Sequence, residues 1–280
     1  MRPQGTASDV TWFPCEWFGV GRLSPIAEYS GPVNPATDPH PSHRQHGYRT
    51  RMDWGRAGVQ LLAGEADLVI VVDVLSFSTA VSVAVERGAA VIPYRFRDAS
   101  ADAYARSIGA TLAAADRSGP GPTLSPASLA ALRRGERLVL PSPNGASCVL
   151  LAAEAGASVV AGCLRNASAV ARFATSRGGT TAVIAAGELW PDGGLRPAVE
   201  DLVGAGAVLA RMDADTMSPE ARAAVAAFRA ARDDLLGALT GSASGRELVD
   251  RGFSDDVAIA AVLDVTDLVP VLADGMFQGQ

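Results

Sequence analysis

The stretch Asp67-Leu-Val-Ile-Val-Val-Asp-Val-Leu-Ser-Phe-Ser-Thr-Ala-Val-Ser-Val-Ala-Val-Glu-Arg-Gly88 leaves this chain few folds to choose from. It opens as an apolar, β-branched run, which reads as a buried strand. A strand without polar alternation needs cover on both faces, and that is the signature of an α/β sheet. Asp73 stands near the end of the run, three hydroxyls follow (Ser76, Ser78, Thr79), and a small-residue helix then stops at Gly88. Strand, hydroxyl-rich turn and helix N-terminus together suit an anion or a metal–phosphate pair, because unsatisfied helix N–H groups point at the turn. The plainer alternative is a solvated Asp at a strand end, with Ser78 as N-cap.

The rest of the chain repeats the theme. Asp53 to Leu62 reads as a short helix, followed by strand 67–74 and helix 78–87. The spacing then predicts strand 90–95, helix 98–108, a Gly/Pro/Ser-rich loop 116–126, helix 127–134 and strand 137–140. Helix 147–155, strand 157–163, helix 167–176, strand 180–186 and helix 198–211 continue the alternation. Ser218-Pro-Glu-Ala carries a helix-start signature. A helix near 255–263 and an apolar stretch around 268–272 close the chain. Such alternation implies an α/β fold, a three-layer α/β/α sandwich with a mainly parallel or mixed sheet. Residues 1–46 differ: they hold seven of the 17 prolines and read as an irregular arm, with 47–280 as the main domain. The arm's aromatics (Trp12, Phe13, Trp17, Phe18) suggest docking on the body or on a second copy, so a homo-oligomer is one expectation.

Composition removes several function classes. A net charge of −6 and a pI near 5.1 argue against a nucleic-acid or anionic-membrane partner. No apolar run reaches the roughly 20 residues that span a bilayer. The three cysteines (Cys15, Cys148, Cys163) are widely spaced, as in a reducing cytoplasm. All three histidines (His40, His43, His46) lie before Gly47. The main body therefore has no histidine base, nucleophile or metal ligand, and its chemistry falls to carboxylates, Asn, Ser/Thr and Arg. Oxygen donors of this kind suit Mg²⁺. There is no P-loop pattern, no dinucleotide-type glycine fingerprint after the first strand and no nucleophile elbow. Gly204 and Gly206 sit within a helix and read as packing contacts.

Ligands in open α/β sheets collect at the carboxyl ends of strands. Five segments place polar groups after such strands or at a helix start. They are Asp73 with its hydroxyls; Ser142, Asn144 and the Gly145 amide; Arg165 and Asn166; Glu188; and Arg196 with Glu200 and Asp201 in a helix opened by Pro197. For Glu200 and Asp201 a match to the helix dipole, worth about 0.3–1 kcal/mol, would also suffice. Val74–Val81 echoes Cys163–Val170; composition alone produces such likeness, or two related turns face one site.

In this order the segments resemble the 2-phosphosulfolactate phosphatases (ComB type), Mg²⁺-dependent enzymes of the coenzyme M pathway. The matching pieces are Val71-Val-Asp-Val-Leu with Ser-Thr-Ala, Ser142-Pro-Asn-Gly-Ala, Gly162-Cys-Leu-Arg-Asn-Ala-Ser-Ala-Val, Ala185-Ala-Gly-Glu and Glu200-Asp-Leu-Val-Gly-Ala-Gly-Ala. Ser244-Gly-Arg-Glu-Leu and Gly252-Phe-Ser-Asp-Asp-Val complete the set. The resemblance implies hydrolysis of 2-phospho-3-sulfolactate to 3-sulfolactate and phosphate. Asp73, Glu188, Glu200 and Asp201 become catalytic candidates, with Asp73, Glu188 and Asp201 as Mg²⁺ ligands; for Asp73 the role of nucleophile is the alternative to that of ligand. Ser76, Ser78, Thr79, Asn144, Gly145, Arg165, Asn166 and Arg196 become binders of the small anionic phosphoester. Two departures bear on the substrate. The family usually has Arg where this chain has Ser76, and its Gly-rich G-N-S-P loop is reduced here to Thr123-Leu-Ser-Pro126. Arg165 or Arg196 could supply the missing guanidinium. The alternatives are a phosphatase acting on another metabolite and a non-catalytic binder of phosphorylated or sulfonated molecules.

Overall fold

The computed structural model describes residues 39–280. In chain order its elements begin with β1 (Thr50–Trp54), α1 (Gly55–Leu62), β2 (Leu68–Val72), α2 (Phe77–Glu86), β3 (Ala90–Tyr94), α3 (Ala99–Ser107) and β4 (Thr111–Leu112). A 3₁₀ turn (Pro126–Ala131), β5 (Arg137–Pro141), α4 (Gly145–Glu154), β6 (Ser158–Gly162), α5 (Ala167–Arg177) and β7 (Thr181–Ala185) follow. A hairpin of β8 (Glu188–Leu189) and β9 (Leu195–Arg196) leads to α6 (Val199–Leu209), α7 (Pro219–Ala231), α8 (Leu235–Gly241), α9 (Ala243–Asp250) and α10 (Ser254–Ala260). β10 (Pro270–Ala273) and β11 (Met276–Gly279) end the chain.

β2 shows why the layers form. All five of its residues are buried, and successive side chains of a strand point to opposite faces. Leu68, Ile70 and Val72 enter a core shared with Val170, Val208 and Phe228. Val69 and Val71 enter another, shared with Val59, Leu62, Val81 and Val149. Helices thus cover both faces of the sheet. Each fully buried aliphatic side chain stabilises the fold by about 1.5–3 kcal/mol.

The sheet has nine strands in the order β1-β7-β2-β6-β10-β11-β3-β5-β4. β2 lies parallel between β7 and β6, and β3 lies parallel to β5. The hairpin β10–β11 sits between the two parallel groups and pairs antiparallel with each. The three-layer expectation holds and the sheet is mixed.

Several local expectations change. Asp53 and Trp54 end a strand, and the helix expected from Asp53 starts at Gly55, whose φ of +55° turns the chain out of the sheet. Helix 127–134 is only a 3₁₀ turn. Arg196 belongs to β9, and Pro197 precedes α6 instead of opening it. Gly204 and Gly206 are packing positions: a methyl group there would collide with Val74 and with the Ala224 carbonyl.

Candidate active site

Asp73 is held between the first amides of two helices. Phe77 N–H, opening α2, donates to its Oδ1 at 3.1 Å, and Gly145 N–H, opening α4, donates to its Oδ2 at 3.1 Å. The turn that carries it is locked by its own hydroxyls. Ser78 Oγ accepts from Asp73 N at 3.0 Å and donates to Val71 O at 2.9 Å, while Thr79 Oγ1 donates to Val74 O at 2.6 Å. Both hydroxyl side chains are fully buried. Ser76 caps α2 by position but makes no side-chain cap bond.

A second carboxylate stitches this turn to the next. Asp201, in the first turn of α6, accepts from Val74 N at 2.7 Å through Oδ1 and from Gly187 N at 2.8 Å through Oδ2. It therefore sets the backbone beside Asp73 and the backbone beside Glu188 in one step. Glu188 begins β8, and Asn144 Nδ2 donates to its Oε2 at 2.8 Å. Arg196, paired with Glu188 across the hairpin, donates to Ser244 Oγ at 3.0 Å and lies 5.7 Å from the centre of the Trp190 ring.

A cavity of about 540 Å³ opens here, a size that suits a small ligand. Asp73, Ser76, Asn144, Glu188 and Arg196 line it, together with Ser142. Arg97, Arg117, Arg251, Ser244 and Glu247 also line it, although the residue patterns singled out none of them as a site residue. The signals were present. Arg97 follows β3 as Asp73 follows β2, Arg117 lies in the loop that departs from the family pattern, and Ser244, Glu247 and Arg251 belong to or adjoin the Ser244-Gly-Arg-Glu-Leu segment.

Other expected residues sit elsewhere. Ser78 and Thr79 spend their hydroxyls within the turn. Asn166 is fully buried, accepting from Cys163 N at 2.9 Å and donating to Ala161 O at 3.2 Å. Arg165 pairs with Glu86 at 2.7 Å and does not border the cavity. The echo between the two βα turns therefore does not extend to a shared site. Glu200 and Asp201 are buried beside the cavity wall rather than lining it. The Gly145 amide is taken by Asp73.

Charge in the cavity is divided. Burial, then the negative charge of Glu188, pushes Asp73 up to about 7, against the opposing pull of the Phe77 and Gly145 amides. Burial, then Glu200, raises Glu188. Burial, then Asp73 and Glu200, raises Asp201. Burial and the neighbouring Arg117 lower Arg97. Burial is the first cause of both upward shifts, and the repulsion between the two carboxylates adds to that of Asp73. Among the described residues no three His, Cys, Asp or Glu side chains form a complete metal cage. Asp73 and Glu188 nevertheless fit a small hard cation that keeps its own waters and takes only one or two carboxylates beside a phosphate.

The fold is an α/β/α sandwich whose cavity gathers an acidic pair, Asp73 and Glu188, and four arginines. A profile of the 2-phosphosulpholactate phosphatase family matches residues 60–275, and the chain belongs to that family. It is 33% identical over 216 residues to the 2-phosphosulfolactate phosphatase of Methanothermobacter thermautotrophicus, covering 75% of this chain and 89% of the relative. It is 31% identical over 218 residues to a Deinococcus radiodurans protein named "Probable 2-phosphosulfolactate phosphatase", covering 75% and 89%. No helix among the described residues is long and apolar enough to cross a membrane.

Proposed function

We propose that this protein hydrolyses 2-phospho-3-sulfolactate to 3-sulfolactate and phosphate, with Mg²⁺ held by Asp73 and Glu188. The observation that carries the reading is Asp73: a buried carboxylate clamped between two helix N-termini, facing Glu188 across a cavity rimmed by arginines, in a chain of this family. Bound there, Mg²⁺ would neutralise charge on the phosphoryl oxygens. The chain's own groups do the rest. Asn144 orients Glu188 through its Nδ2, and Asp201 fixes the turns that carry Asp73 and Glu188. Arg196, braced by Ser244 and Trp190, presents a fork of donors to oxyanions. The two buried free thiols, Cys148 and Cys163, suit a reducing compartment, and we place the enzyme in the cytoplasm.

The test is phosphate release from a panel of phosphomonoesters, including 2-phospho-3-sulfolactate, in MgCl₂ and in EDTA. Mg²⁺-dependent release, fastest from 2-phospho-3-sulfolactate, is expected. Release from another acidic phosphoester alone would move the substrate, and release from none would defeat the enzyme reading.

A further inference from the structure

Arg117 is the most tightly held guanidinium of the cavity. Its Nη1 donates to Asp256 Oδ2 at 2.7 Å, and its Nη2 donates to Ser76 Oγ at 2.8 Å and to Leu75 O at 3.2 Å. The Phe253 ring centre lies 6.0 Å from its guanidinium carbon. Its side chain is only 9% exposed and that of Asp256 only 2%. Asp256 is held in turn, accepting from Ser125 Oγ at 2.5 Å and from Ala127 N at 3.4 Å. One network thus ties the turn after β2, the loop 116–126 and α10 together.

A guanidinium has five N–H donors, and the protein takes three of Arg117's. Nε and one Nη1 hydrogen are left for a ligand in the cavity that Arg117 lines. Asp256 balances the charge of Arg117, so this residue offers aimed donors more than net charge. Uncompensated charge comes from Arg97, which lines the same cavity beside Arg117 and, like Arg196, makes no ion pair among the described residues. The carboxylates Asp73 and Glu188 repel any anion not bridged by a cation. A second anionic group on the ligand is therefore driven towards the arginines.

We propose that Arg117 and Arg97 form the subsite for the non-phosphoryl anionic group of the substrate, and that Ser76 and Asp256 are positioning residues that set Arg117 for it. The proposal rests on the phosphatase reading above. It makes Ser76 a bracket for a guanidinium delivered from another loop, where that turn would otherwise have to carry its own. A guanidinium N–H serves a sulfonate or a carboxylate oxygen equally.

The experiment has a turnover arm and a binding arm, both on the full chain. In MgCl₂, kcat and KM are measured for 2-phospho-3-sulfolactate, for 2-phospholactate, which carries a carboxylate but no sulfonate, and for 4-nitrophenyl phosphate, which carries no second anion. The expected mark of Arg117→Gln is a KM about 10- to 100-fold higher for 2-phospho-3-sulfolactate with a much smaller change in kcat. The preference for that substrate over 4-nitrophenyl phosphate, taken as a ratio of kcat/KM values, should collapse by at least tenfold. Arg97→Gln should act in the same direction. Ser76→Ala, the milder change, should lower the ratio severalfold and add nothing further in an Arg117→Gln background. An equal loss on all three substrates, or no loss, overturns the subsite. 2-Phospholactate tells which anion is held: matching losses with 2-phospho-3-sulfolactate place the carboxylate there, and a loss confined to the latter places the sulfonate.

The binding arm titrates 3-sulfolactate by calorimetry and needs no turnover. Wild-type binding that weakens at least tenfold in Arg117→Gln and Arg97→Gln supports the subsite, even if no phosphoester is hydrolysed. Affinity unchanged in these variants, or no binding to the wild type, overturns it. A dead enzyme that binds 3-sulfolactate through Arg117 would instead mean that the catalytic reading alone has failed.

Discussion

The amide of Gly145 donates to Oδ2 of Asp73 at 3.1 Å, and a methyl group on Gly145 would stand 2.6 Å from that same oxygen. It would also stand 2.7 Å from Phe77 Cβ. The bare Cα is what lets the start of α4 reach the carboxylate that α2 also caps. Gly145→Ala must push Asp73, Phe77 or α4 aside. A misplacement near 1 Å costs on the order of 100-fold in rate, and overpacking costs about 1–3 kcal/mol. Steady-state kinetics should show kcat/KM down by about two orders of magnitude, with a melting temperature several degrees lower. An active, equally stable variant would remove the close approach from the mechanism.

Asp73 also makes stability depend on pH. Its folded value of about 7 stands above the ordinary 3.8, with burial as the first cause and Glu188 as the second. Between those values the folded state holds more protons than the unfolded state. The contribution is therefore full below the unfolded value and is lost as pH rises through about 7. One pKa unit corresponds to about 1.4 kcal/mol, so a ceiling of about 4 kcal/mol applies, shared with Glu188, which rises as well. Asp73→Asn cannot ionise, although it surrenders one acceptor for the Phe77 and Gly145 amides at about 1 kcal/mol. In EDTA, thermal unfolding should show Asn stabilising relative to Asp at pH 8, with the difference shrinking or reversing at pH 5. MgCl₂ at pH 8 should raise the melting temperature of the wild type and leave Asp73→Asn unmoved. A wild-type-to-variant difference that is the same at both pH values would sink this.

How much of this was legible in sequence depended on whether a residue's task was local. Asp73 and the strand that carries it stood out because an apolar β-branched run tolerates a carboxylate only at its end. Glu188 and Asn144 stood out for the same positional reason. The arginines did not, since Arg97 and Arg117 are brought to Asp73 by packing between elements distant in sequence. Ser78, Thr79 and Asn166 have the composition of an anion site, but their polar atoms are consumed by backbone groups of their own turns, a competition that no spacing reveals. The strand pair β10–β11 was legible and missed. Asp274-Gly275, with φ of 49° and 75°, is a two-residue turn of the kind that joins hairpin strands. Its place inside the sheet was not legible, because that is settled by the gap between two parallel groups.

Asp201 should behave as a brace. Both of its oxygens are occupied by the backbone amides of Val74 and Gly187, and its side chain does not line the cavity. Asp201→Ala leaves two buried N–H groups without acceptors, each costing about 1–3 kcal/mol. Relief of a buried negative charge that Asp73 and Glu200 repel offsets part of that cost. Calorimetric unfolding should show a net loss of a few kcal/mol. Asp201→Asn keeps one acceptor and should lose less, with kcat falling further than Mg²⁺ affinity because the two turns no longer hold their relation. A variant with unchanged stability and abolished Mg²⁺ binding would make Asp201 a ligand after all.

Arg165 and Arg196 were equal candidates for an anion-binding guanidinium, and the fold separates them. Arg165 is committed to Glu86 at 2.7 Å and to the Ile259 carbonyl at 3.4 Å, away from the cavity lining. Arg196 lines the cavity, with Ser244 and the Trp190 face fixing its direction. Arg196→Ala should therefore lower kcat/KM for 2-phospho-3-sulfolactate by at least about tenfold, the scale of one charge-assisted hydrogen bond, while barely shifting the melting temperature. Arg165→Ala should do the reverse. Its kcat/KM should stay within about twofold, and its stability should fall by about 1 kcal/mol through the lost ion pair and the packing of its stem. Kinetics and thermal unfolding on the two variants side by side decide it, and a catalytic loss at Arg165 larger than that at Arg196 would place the anion outside the cavity that Asp73 lines.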